Sequence, residues 1–194
     1  LKWLTNDCRN TLERASARET APRTAAGAVA ACLLRAFGIE VFGFVRGMLD
    51  AVTDIQVTAE SLVELRAARD DSAVYCPEES VCREIIEHIR NAKEDKNTVG
   101  GTCEVHVFGV PPGLGACTAW QSKLDSRLAG AVMGIQAFKA VEMGLGVECG
   151  TRMGSDVHDP IAYDASTTDA SHLGFTRPTN HAGGIEGGMT NGMP

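Results

Sequence analysis

Arg14 and Arg18 stand four positions apart in the run Glu13-Arg14-Ala15-Ser16-Ala17-Arg18-Glu19-Thr20. On a helix that spacing puts both guanidinium groups on one side. Ser16 lies between them and offers a hydroxyl. A helix start exposes unpaired backbone N–H groups and its positive dipole end. Two guanidinium groups there make a site for a phosphate or another anion. Pairing of the same arginines with Glu13 and Glu19 on a solvated face is the plainer alternative.

A second segment of interest is the run from Asn180 to Gly192, with five glycines in thirteen residues. Glycine pairs reach positive φ and let backbone approach a bound group closely. Flanking Asn, His and Thr side chains can hydrogen-bond to such a group. The run has neither the Gly-x-Gly-x-x-Gly pattern after a strand nor a Gly-Lys-Ser/Thr ending, so the nucleotide-binding motifs fail. A flexible turn remains the competing reading. His181 is the histidine best placed for chemistry, by its position beside these glycines. His88 and His106 fall on wet faces, and Asp156-Val157-His158-Asp159 lacks metal-ligand spacing, so no metal site is expected. No nucleophile-elbow signature occurs, and no catalytic residue is assigned within the chain.

Composition bounds the rest. Of 194 residues, 44% are hydrophobic and 22% charged, which suits a folded globular chain. A formal charge of −7 argues against a general nucleic-acid footprint. No apolar run is long enough to cross a bilayer. Seven cysteines without a C-x-x-C pair suggest reduced, mostly buried thiols in a cytoplasmic protein. The chain opens at Leu1 and stops at Gly-Met-Pro after the glycine-rich run. It is therefore expected to be an internal part of a larger domain, residues 1–194 lying within that single domain.

The elements that must position these residues follow from periodicity. Residues 13–37 place Ala17, Ala21, Ala25, Ala28, Cys32 and Ala36 on one helical face, with further apolar residues around it. Such a helix should be central and little exposed. Pro22 and Gly27 are its weak points and Gly38 its stop. Residues 39–49 read as a strand, 50–70 as ambiguous between a short helix suggested by Leu62 and Leu65 and a solvated surface, and 78–93 as an amphipathic helix with a Val81, Cys82, Ile85, Ile86, Ile89 stripe. Residues 103–110 read as a strand wet on its Glu104 and His106 face. Pro111 to Gly115 form a stiff turn, 119–133 and 135–143 two helices, and the remainder long loops. The alternation of strands with apolar helices gives α+β or α/β, and α+β is preferred only on the family resemblance that these segments carry.

Taken in order, these segments resemble the chorismate synthase family. The resemblance rests on Arg14-Ala15-Ser16-Ala17-Arg18-Glu19-Thr20-Ala21 with Ala26-Gly27-Ala28, and on Val110-Pro111-Pro112-Gly113-Leu114-Gly115. It continues through Leu124-Asp125 and Gln136-Ala137-Phe138-Lys139-Ala140-Val141-Glu142-Met143-Gly144. It closes with Asn180-His181-Ala182-Gly183-Gly184-Ile185-Glu186-Gly187-Gly188-Met189.

That resemblance implies a layered β-α-β sandwich, with a central apolar helical layer between antiparallel sheets, assembled as a homotetramer. It implies a phosphate-eliminating lyase acting on 5-enolpyruvylshikimate-3-phosphate by 1,4-anti elimination. The small-molecule phosphorylated substrate and reduced FMN are its ligands, and NADP is associated with the family. Arg14, Ala15, Ser16, Gln136, Ala137 and Gly187 would then contact FMN, and Arg18 the substrate phosphate. The family's early histidines and later flavin and Arg-x-Asp segments fall outside residues 1–194, so little activity is expected of this chain alone. A binding module that keeps the fold but not the reaction is the alternative.

Overall fold

The computed structural model describes residues 2–170 and 172–194. In chain order the elements are α1 (Arg9–Ala15), α2 (Thr20–Ala36), β1 (Glu40–Met48), β2 (Ala51–Val52), α3 (Leu62–Asp71), α4 (Glu79–Glu94), β3 (Thr102–Phe108), α5 (Leu124–Met133), α6 (Gly154–Val157), β4 (Ala162–Tyr163), β5 (Phe175–Thr176), β6 (Ile185–Glu186) and β7 (Met189–Thr190). The chain divides into two compact units, Leu1–Ile39 with Gly109–Pro194, and Glu40–Phe108.

The Glu40–Phe108 unit is built on an antiparallel sheet of order β2-β1-β3. Phe42 lies opposite His106 and Phe44 opposite Glu104, with Arg46 left between the registers of Val45 and Gly47 as a bulge. Phe42, Phe44, Phe108 and Leu62 of α3 form one apolar cluster. Val81 and Ile85 of α4 form a second with Ala51 and Cys76, as the amphipathic stripe requires. Ile89, expected in that stripe, is exposed.

One expectation for β3 is reversed. Glu104 and His106 are half-buried, whereas Val105 is 62% exposed. The His106 ring is stacked between Phe44 and Phe108, at centroid distances of 6.2 and 6.1 Å. Burying three phenylalanine rings removes more apolar surface than burying valines, so the aromatic face turns inward and takes the polar pair with it. Arg46 reaches Glu104 at 3.0 Å and His106 Nε2 lies 2.6 Å from the same carboxylate, so neither polar group is stranded.

In the other unit the expected helix over 13–37 is two helices with a break. Ser16 is extended, with ψ 153°, and Ala17–Glu19 form a 3-10 turn. Pro22 therefore falls in the first turn of α2, where its missing N–H costs no hydrogen bond. α2 ends as foreseen at Gly38, φ 75°. The Gly38 N–H donates to Arg35 and the Ile39 N–H to Leu34, which is a Schellman cap.

The burial expected of α2 is not reached. Val29 is 73% and Leu33 63% exposed, and no residue of the helix is buried. An apolar helix needs a partner to lose its surface, and these residues do not supply one. The cysteines follow the same trend, since Cys76 is buried but Cys8, Cys32, Cys103 and Cys117 are exposed.

Two further expectations fail. Residues 119–123 are turns rather than the start of α5. The stretch 135–143 is not helical, because the chain turns at Ile135 and Ala137 takes a left-handed φ of 71°. No helix passes through such a residue.

Candidate functional site

Arg14 lies in the last turn of α1, and Arg18 in the 3-10 turn before α2. The two do not share one helical face as the spacing implied, since extended Ser16 separates them. The Ser16 hydroxyl accepts the Arg18 N–H at 3.3 Å and shapes that turn. Both arginines nonetheless line one open cavity of about 420 Å³ with Asn10, Glu13, Glu19 and Pro22. Arg14 also borders a neighbouring hollow, together with Ala15 and Trp3.

Arg18 pairs with Glu13 at 3.3 Å, its side chain 80% exposed. Exposed pairs of this kind contribute little stability, so the guanidinium is held loosely. Glu19 is engaged more firmly. Its Oε2 accepts from Arg23 Nε at 2.7 Å and from Gln136 Nε2 at 3.1 Å. Those two donors, Arg23 first, hold its carboxyl below the usual range against a small opposing effect of burial.

Gln136 reaches this place from the turn after α5. Its Nε2 also donates to the Arg14 carbonyl at 3.2 Å. Its Oε1 is buried without a hydrogen-bond partner among the described residues. The left-handed Ala137 beside it costs about 1–2 kcal/mol for a non-glycine residue, and such conformations cluster at ligand-holding sites.

Gly187 sits elsewhere in the same unit. It and Gly188 form the two-residue turn of the β6–β7 hairpin, with φ of 60° and 87°. Both central residues at positive φ make the primed turn that glycine pairs favour. No described atom lies within 4 Å of the place a Cβ on Gly187 would occupy, so one face of that turn is open. The Leu124 N–H at the start of α5 donates to the Gly188 carbonyl at 2.8 Å. Gln136 follows the far end of that helix, whose ten residues span about 15 Å. The contacts thus join Arg14, Glu19 and Gln136, while Gly187 flanks the opposite end of α5.

Three residues that sequence reasoning did not single out hold the hairpin. The Thr190 hydroxyl donates to the Pro111 carbonyl at 2.6 Å and accepts the Leu114 N–H at 2.9 Å. Backbone bonds from Gly113 to Thr190 and from Thr190 to Leu114 complete the joint, so two of the quoted motifs form one piece. Arg177 bridges Glu186 at 2.7 Å and the Asn191 carbonyl at 3.4 Å. Asp159, its side chain fully buried, accepts from Thr179 Oγ1 at 2.6 Å, His181 N at 2.8 Å and Ala182 N at 2.9 Å. Burial alone would raise its carboxyl, but the Thr179 hydroxyl and the Ala182 and His181 N–H groups hold it below the ordinary value. His181 Nδ1 lies 3.2 Å from the Val157 carbonyl, so its ring is tied to backbone. None of the three has periodicity or a motif to mark it. Only the fold brings them to the loop.

An α+β protein emerges, with antiparallel sheets, an arginine-lined hollow, an amide fixed by two acceptors and an open glycine turn. The chorismate synthase family model matches residues 1–194. The chain is 47% identical over 196 residues to the chorismate synthase of Desulforamulus reducens, covering all of this chain and 48% of that protein. It is 50% identical over 194 residues to that of Pelobacter propionicus, covering 99% of this chain and 49% of the relative. A crystal structure of chorismate synthase superposes with a TM-score of 0.89 at 40% identity, over 99% of this chain and 57% of that one. The chain belongs to the chorismate synthase family. It spans about half the length of the curated relatives it matches. The expected fold class is thereby shown, mixed α and β in the family's arrangement of helices between antiparallel sheets. No helix among the described residues is long and apolar enough to cross a membrane.

Proposed function

We propose that the protein containing these residues is a carbon–oxygen lyase that converts 5-enolpyruvylshikimate-3-phosphate into chorismate and phosphate by 1,4-anti elimination. Membership of the chorismate synthase family across residues 1–194 carries this reading. The chain is one part of the family's domain and works in the cytoplasm. The family's homotetramer is the proposed assembly, in keeping with an α2 whose apolar surface is uncovered here.

The residues present fit FMN. The unpaired Gln136 Oε1 is an acceptor waiting for a ligand donor, and the open face of Gly187 admits a close approach of backbone to ligand. Arg14, Ala15, Ser16, Gln136, Ala137 and Gly187 are the proposed FMN contacts. Reduced FMN, when bound, supplies electron density to the substrate carbon that loses phosphate. Arg18 is the proposed partner of the substrate phosphate. Its loose pairing with Glu13 lets the guanidinium exchange one anion for another. Phosphate leaves more readily when cationic donors meet its developing charge, which is the role proposed for Arg18.

The test is an anaerobic assay of the natural full-length protein with reduced FMN and 5-enolpyruvylshikimate-3-phosphate. Chorismate should form, and Arg18→Glu should abolish substrate binding while leaving the far-ultraviolet circular dichroism unchanged. Flavin binding without turnover would instead identify a binding module that has lost the reaction. An unchanged rate and Michaelis constant in Arg18→Glu would remove that residue from the site.

A further inference from the structure

The geometry points to Glu19 as the residue that fixes the polarity of the Gln136 amide, so that Gln136 presents a hydrogen-bond acceptor to a ring N–H of the flavin. This rests on the FMN reading above and deepens it.

An amide side chain can present either its oxygen or its NH₂ to a ligand, and only its neighbours decide which. Here the neighbours are unambiguous. Glu19 Oε2 already accepts from Arg23 Nε at 2.7 Å, so it is a carboxylate oxygen acting as acceptor. The second neighbour is the Arg14 carbonyl, which has no donor to offer. Facing two acceptors, at 3.1 and 3.2 Å, Gln136 must turn its NH₂ toward them. Its Oε1 is then directed away, buried and without a partner among the described residues. A buried acceptor left unpaired is unfavourable until a donor reaches it. The ligand group facing Gln136 is therefore an N–H or O–H, and never a bare carbonyl oxygen. The isoalloxazine ring of FMN carries such a donor at N3 in both its reduced and oxidised forms, and in the oxidised ring N3 is the only N–H. Because Glu19 sits beside the arginines and Gln136 follows α5, this one contact couples the arginine segment to the second flavin motif.

The polarity can be read by comparing FMN with N3-methyl-FMN, in which the donor is blocked. Dissociation constants come from flavin fluorescence quenching on the natural full-length protein, with substrate present. Wild-type protein should prefer FMN by about tenfold, the worth of one well-made hydrogen bond. Glu19→Ala leaves only the Arg14 carbonyl, at 3.2 Å, to hold the NH₂, and the preference should fall to about threefold or less. Glu19→Gln keeps an oxygen acceptor at the same place and should restore the wild-type ratio, which a merely structural loss would not. Gln136→Leu removes the acceptor itself and should erase the preference whether or not Glu19→Ala folds. Equal binding of both flavins by wild-type protein, or a preference that survives Gln136→Leu or Glu19→Ala, overturns this inference alone. Binding of neither flavin by wild-type protein overturns the FMN reading together with it.

Discussion

Asp159 Oδ1 accepts the backbone N–H of His181 at 2.8 Å, and its second oxygen takes the next N–H, that of Ala182, at 2.9 Å. One buried carboxylate thus fixes the chain at the entrance to the glycine run. Replacing it with alanine leaves two amides and the Thr179 hydroxyl without their acceptor. Asp159→Ala should cost about 3–5 kcal/mol of stability. Amide hydrogen exchange at His181 and Ala182 should lose its protection, and unchanged exchange rates there would dismiss the anchor.

The same carboxylate sets a pH dependence. Its folded pKa lies below the ordinary value of 3.8. A depressed acid contributes stability that is fully present above the unfolded value and is lost as pH falls through the folded one. The stability difference between wild-type protein and Asp159→Asn should hold steady from neutral pH down to about pH 5 and shrink below about pH 4. Urea midpoints across that range measure it. A difference constant to pH 2.5 would show that the pairing does not persist in solution.

Thr190 offers a test of the joint between motifs. Its hydroxyl donates to Pro111 and accepts from Leu114, so a valine of similar shape removes both bonds. Thr190→Val should cost about 2–3 kcal/mol, and Thr190→Ser much less. Thermal unfolding of the pair decides the matter. A loss in Thr190→Ser larger than in Thr190→Val would assign the effect to the methyl group instead.

Much of the fold was legible because it rests on local pattern. The stripe of α4 and the Gly38 stop of α2 are written in neighbouring residues, and both are found, the stripe without its exposed last member Ile89. Burial was legible only where competing faces differed plainly in apolar content. On β3 the aliphatic face looked internal, but Phe108 together with Phe42 and Phe44 of β1 outweighs Val105. For α2 the composition spoke of a buried helix without naming what covers it. The left-handed Ala137 escaped because alanine does not favour that conformation, and the break at Ser16 because the alanine-rich pattern around it outweighed one turn-forming serine.

The candidate site was legible as motifs and not as a network. Arg14, Arg18, Gln136 and Gly187 were named from the family resemblance, yet their neighbours were not. Glu19 reaches Gln136 across 117 positions, and Asp159 reaches His181 across 22. No spacing rule spans such separations. Acidic residues that hold a site together look, in sequence, like any surface acid.

Thr190 also ties down a long excursion of the chain, since its partner Leu114 lies 76 positions earlier. The entropy of closing such a loop rises only slowly with its length. Extra residues placed between Leu114 and Thr190, away from the β4–β5 ladder and the Asp159 anchor, should therefore be accommodated without prising the proline-rich turn from the hairpin it grips.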